Sequence, residues 1–139
     1  MKILFVLLLS INIFAFDGAS ASKIFDKIFH AMIDKEVILV YTSNEVYKEV
    51  IINAENLSLS KVFKEADIIL VDSLKEIPKG SEDGLFFTTS YPVLRENDNV
   101  VGAFYWDKGH IKIEFLEKRL LKKEISLPDS FSKYIKESL

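Results

Sequence analysis

The chain of 139 residues contains no cysteine. That excludes thiol catalysis, thiolate metal sites, disulfide staples and redox switching, so the fold must rest on packing. Three prolines and five glycines are too few for a collagen-like or low-complexity architecture. The only two histidines, His30 and His110, lie far apart with no carboxylate at ligand spacing, so no zinc site is expected. There is no phosphate-binding loop, no dinucleotide fingerprint and no nucleophile elbow. No cofactor and no enzymatic activity are expected. Charge of one sign is also lacking, since the net value is only −3. Ser22–Asp98 is acidic and Asn99–Leu139 slightly basic. Nucleic-acid binding does not fit such a balance in an exported chain.

Export is expected from the first residues. Met1-Lys2 is a minimal positive region, and Ile3–Phe16 is an apolar run broken only by Ser10 and Asn12. Ala19-Ser20-Ala21 fits the small-x-small cleavage rule, with cleavage after Ala15 as the alternative. The run is shorter than the ~20 apolar residues of a membrane span. The expected organisation is a signal peptide over 1–21 and one domain over 22–139, in the periplasm of a bacterium.

Val100–Phe115, VVGAFYWDKGHIKIEF, organises the rest. Val100–Trp106 has the composition of a strand buried on both faces. Asp107-Lys108-Gly109-His110 is a turn, and Ile111, Ile113 and Phe115 alternate with Lys112 and Glu114. The stretch reads as a β-hairpin with one wet face on its return strand.

Before it, Ile24, Phe25, Ile28, Phe29, Met32 and Ile33 recur at helical spacing, and Ser22 is suited to cap their helix. EVILVY (36–41), DIILV (67–71) and LFFT (85–88) read as buried strands, and Asn56–Ser60 as a short edge strand. Thr42 and Glu45 have the spacing of a capping box for a helix ending near Asn53. Thr89-Ser90 is suited to cap a short helix with Pro92 in its first turn. After the hairpin, Leu116, Leu120 and Leu121 suggest a helix with Lys118, Arg119, Lys122 and Lys123 outward. Phe131, Tyr134 and Ile135 suggest a final helix. Alternation of buried strands with helices predicts an α/β fold: a single layered domain with parallel central strands, extended by a C-terminal antiparallel hairpin, with helices packed on the sheet.

Two sets of residues are candidates for function. Thr42-Ser43-Asn44, Asp72-Ser73 and Thr88-Thr89-Ser90 stand at the ends of the three parallel strands. Ligands of open parallel sheets bind there, and hydroxyls with free helix amides can hold a small anion. The ligand-site candidates are Thr42, Ser43, Asn44, Ser73, Thr88, Thr89 and Ser90. Capping of the next helix needs the same residue types, and no arginine is present to grip an anion. The second set is Tyr105, Trp106, Asp107, Lys108 and His110 in the hairpin. Consecutive aromatics cannot all face the core, and tyrosine and tryptophan are favoured at interfaces.

The order of segments resembles the YfiR-type periplasmic proteins that repress a membrane-bound diguanylate cyclase. The resemblance lies in VILVY, ADIILV and FFTT, and above all in KGHIKIEFLEKRLLKKEISLPDSFSKYI over Lys108–Ile135. It implies a small periplasmic α/β regulator, alone or as a homodimer, acting on an inner-membrane receptor or cyclase. The cysteines common in that family are missing, so redox sensing is not carried over. An alternative of the same fold class is a single-lobe solute-binding protein that holds a small anionic ligand at the strand ends.

Overall fold

Seven short strands lie side by side in the computed structural model, which describes residues 18–139. The apolar run of the expected leader lies outside the described residues. Helix α1 spans Gly18–Met32 and buries Phe25, Ile28, Phe29 and Met32, which share one face at 3.6-residue spacing. It already includes Gly18, so Ser22 is not its cap. Ser22 is 3% exposed inside the helix and donates its hydroxyl to the Val50 carbonyl at 2.6 Å. Ala21 is fully buried, and the expected boundary after it falls within α1.

Strand β1 is Ile38–Tyr41 and α2 is Glu45–Ile52. The cap of α2 is Asn44 rather than Thr42: its side chain accepts from the amides of Val46 and Tyr47 at 2.8 and 3.2 Å. Strands β2 (Leu57–Leu59), β3 (Ile68–Val71) and β4 (Phe86–Thr88) follow, then α3 (Tyr91–Glu96), with Ser90 as its cap and Pro92 in its first turn. Strands β5 (Val100–Asp107) and β6 (His110–Leu116) form the hairpin, and α4 is Glu117–Lys122. The expected last helix is not α-helical. Asp129–Tyr134 forms 3₁₀ turns, and Ile135–Lys136 is a two-residue strand, β7.

The sheet order is β2-β1-β3-β4-β5-β6-β7. Only the β5–β6 pair is antiparallel. One face carries Phe25, Phe29, Phe87, Phe104 and Phe115, with rings meeting edge-on or tilted at 5.2–6.5 Å. The other face carries Ile69, Val71, Phe86 and Val100 beneath Val93 and Leu94 of α3. Gly102 is required where β5 meets β6: a Cβ there would lie 2.6 Å from Phe115 Cδ1 and 2.8 Å from the Glu114 carbonyl oxygen.

The cations of α4 and its end divide. Arg119 turns inward and donates to the carbonyls of Leu94, Asn97 and Val100 at 2.6, 3.0 and 2.8 Å, closing the exit from α3 into β5. Lys123 donates to the carbonyls of Glu82 and Gly84 and holds the loop before β4. Lys118 and Lys122 stay exposed. Among the described residues, no helix is long and apolar enough to cross a membrane.

Candidate functional site

The strand order reverses between β1 and β3, because β2 lies on one side of β1 and the later strands lie on the other. This is the topological switch point, where an open parallel sheet leaves a crevice at its carboxyl edge. Thr42, Ser43, Asn44 and Ser73 all come to this edge, and most of their polar atoms are used by the fold. The Thr42 hydroxyl, on a residue 3% exposed, accepts the Asn44 amide at 3.3 Å. Asn44 caps α2 and donates its side-chain NH₂ to Asp72 Oδ2 at 2.8 Å, tying the β1 end to the β3 end. Ser73 accepts the Lys75 amide at 3.3 Å. At the β4 end, Thr88 is fully buried; its hydroxyl donates to the Val71 carbonyl at 2.7 Å and accepts the Ser90 amide at 3.0 Å. Thr89 donates its amide to the same Val71 carbonyl, and Ser90 accepts the Val93 amide.

What remains at the switch point is acidic. Glu76 stands in the 3₁₀ turn Leu74–Glu76, and its carboxyl is pushed up to about 7, first by burial and then by the bond and charge of Asp72. Asp72 is lowered, chiefly by the hydrogen bond from Glu76. The two carboxyls therefore hold one proton between them below about pH 7, on Glu76, while Asp72 stays ionised. Glu76 lines a cleft of about 320 Å³ together with Tyr41, Phe63, Val71 and the cation Lys75. Glu76 was not a candidate from sequence, since a lone glutamate in a lysine-rich loop carries no local signal.

The hairpin presents the opposite arrangement. Lys108 and Gly109 both have positive φ, 52° and 81°, which makes a two-residue type I′ turn and matches the twist of the strands. Asp107 pairs with His110 across it, and Asp107, Lys108 and His110 are exposed. The expectation that the first strand is buried through Trp106 holds only to Phe104. Tyr105 is half-buried and meets Tyr91 with centroids 5.4 Å apart and the rings tilted by 50°. Burial and the neighbouring Glu114 carboxylate push the Tyr105 phenol up, keeping it protonated. Trp106 is 43% exposed and faces Ile111, 42% exposed, across the strands. A tryptophan and an isoleucine thus stand exposed side by side toward the turn end of the hairpin.

The return strand departs from simple alternation. Glu114, expected on a wet face, is 6% exposed and accepts from Lys136 Nζ at 2.6 Å. The partner that buries it comes from β7, which the sequence pattern concealed. Tyr91, Glu114 and Lys136 thus join the hairpin cluster only in three dimensions. No protein-family model, no curated protein and no solved structure matches this chain.

Proposed function

We propose that this chain is an exported, non-enzymatic regulator whose β5–β6 hairpin docks on the periplasmic part of an inner-membrane signalling protein. One observation carries the reading: Trp106 and Ile111 form an exposed cross-strand pair at the outer end of the hairpin. An aromatic anchor beside an aliphatic residue, rimmed by Asp107, Lys108 and His110, has the composition of an interface centre with a polar rim. The segment order shared with YfiR-type repressors supports the same assignment. Regulation follows if the domain binds one state of its receptor better than the other and so holds the receptor there.

Export gives the leader boundary a physical argument. A cut after Ala21 would remove a residue at 0% exposure from the core. That cut would also remove the first turn of the helix, so processing after Ala15 is the reading that leaves α1 whole. The intact mass of the exported protein should correspond to residues 16–139; a mass for 22–139 contradicts it.

Docking is tested by placing a photo-crosslinking amino acid at Asp107 in cells and identifying the adduct. An inner-membrane cyclase, kinase or receptor agrees with the proposal, and the absence of any membrane-protein adduct refutes it. The second reading, a solute-binding lobe, draws on the cleft lined by Glu76, whose carboxyl is bonded to Asp72. That acid pair favours a small neutral or cationic ligand over the anion expected from the hydroxyls. A panel of amino acids, amines, phosphate and sulfate in a thermal-shift assay tests this reading, since a ligand at a hundredfold its Kd adds roughly 2.7 kcal/mol.

A further inference from the structure

Helix α1 ends against the loop that leads into β1, and a histidine holds the joint. His30, in the last turn of α1, meets an acceptor at each ring nitrogen. Nδ1 lies 2.7 Å from Asp26 Oδ1 and 2.8 Å from the Asp26 carbonyl oxygen, and Nε2 lies 3.0 Å from the Glu36 carbonyl oxygen. The second carboxylate oxygen of Asp26 accepts the Asn56 amide at 3.2 Å, so the same cluster reaches the turn before β2. Helix α1, the loop 33–37 and the turn at Asn56 thus meet on one ring and its carboxylate.

A neutral imidazole carries one N–H and one bare lone pair, so only the imidazolium can donate on both sides. Burial by itself lowers the pKa of His30. The Glu36 carbonyl, the Asp26 carbonyl and the Asp26 carboxylate all favour the charged ring and outweigh burial, and the net shift is upward from the ordinary 6.5. Asp26 is the charged side chain that acts on the ring, and from the loop Glu36 contributes its carbonyl. Lys23 and Lys27 of α1 and Glu55 before β2 line a cleft with Asp26, and Lys35 is turned to Asp67 at 2.9 Å.

Loss of the proton does not affect the two sides alike. Asp26 offers a carboxylate and a carbonyl, the loop offers one carbonyl, and charge-assisted hydrogen bonds are the stronger. The remaining proton therefore stays on Nδ1, and Nε2 turns a lone pair toward the Glu36 oxygen. We propose that His30 is a proton-operated clasp between α1 and the entry to β1: the imidazolium holds the Glu36 carbonyl and closes the joint, and the neutral ring keeps Asp26 and releases residues 33–37. The clasp stands independently of the docking reading.

Because the folded pKa is raised, the clasp favours the folded state fully below about pH 6.5 and is lost as pH rises through the folded midpoint. Glu76 acts in the same direction over an overlapping range, so melting curves do not separate the two and the test reads the joint locally. The exported protein, labelled with ¹³C and ¹⁵N, is titrated by NMR from about pH 5 to about pH 9, which spans the range of a histidine. The His30 ring nitrogens should titrate with a midpoint above that of the same histidine in the urea-unfolded chain, and the neutral ring should be the Nδ1–H tautomer. The Glu36 carbonyl ¹³C resonance should move upfield with the same midpoint, and backbone order parameters of residues 34–37 should fall. In His30→Gln the Glu36 step should vanish. A midpoint at or below the unfolded one, an Nε2–H tautomer, a Glu36 resonance that does not follow His30, or unchanged order parameters overturns the proposal. A Glu36 step that persists in His30→Gln overturns it as well, because another group then drives it. The readings on the unsubstituted chain decide the matter if His30→Gln does not fold.

Discussion

The carboxyl ends of β1, β3 and β4 and the outer end of the β5–β6 hairpin are both rich in residues that proteins use for recognition, and the fold treats them oppositely. At the strand ends, Thr42, Asn44, Ser73, Thr88 and Ser90 each bond a backbone amide, and Asn44 and Thr88 also link neighbouring strands. At the hairpin, Trp106 and Ile111 are exposed, and among the described residues the outer edge of β6 has no strand along Ile111 and Ile113. Polar residues at a strand end are explained once their hydrogen bonds are counted. The exposed Trp106–Ile111 pair beside this edge is the ground of the docking proposal.

Substitutions can break this contrast. Thr88→Val should have the largest effect, about 2 kcal/mol of lost stability in chemical denaturation, because a fully buried hydroxyl serves both Val71 and Ser90. Asn44→Ala should cost about 1.5 kcal/mol, combining loss of the α2 cap with loss of the bond to Asp72. Neither change should alter crosslinking of the folded protein at the hairpin.

Glu76→Gln sharpens the comparison through pH. The folded Glu76 carboxyl is raised from 4.5 to about 7, so it favours the folded state fully below about pH 4.5 and loses that contribution as pH rises through 7. The glutamine stays neutral, so melting temperatures of the variant should fall less than those of the unsubstituted chain between pH 4.5 and 7. Equal slopes would mean that the acid pair does not share a proton. Trp106→Ala should have the smallest effect on stability, under about 1 kcal/mol, because its side chain lies beyond the sheet's packed core.

Much of the fold was legible in the chain, for physical reasons that differ by segment. ILVY, IILV and FFT are continuous apolar runs because helices or turns cover both faces of the central strands. The hairpin was legible because Gly109 follows a polar pair between two strand-like runs. Strand β7 was not, since Phe131, Tyr134 and Ile135 have helical spacing while Phe131 and Ile135 pack on the sheet from 3₁₀ turns and a strand. The inward turn of Arg119 was equally hidden, because the three carbonyls that it serves lie 19–25 residues away in sequence. At the strand ends the residue types were legible but their role was not: ligand contact and helix capping ask for the same hydroxyls. Glu114 misled in the other direction, because the lysine that allows its burial comes from β7.

The most direct test is the yield of the Asp107 photo-adduct in Trp106→Ala, measured in cells at equal amounts of folded protein. The account predicts that the membrane-protein adduct is lost while the melting temperature stays close to that of the unsubstituted chain. An undiminished adduct, or a domain that melts once Trp106 is removed, would contradict it.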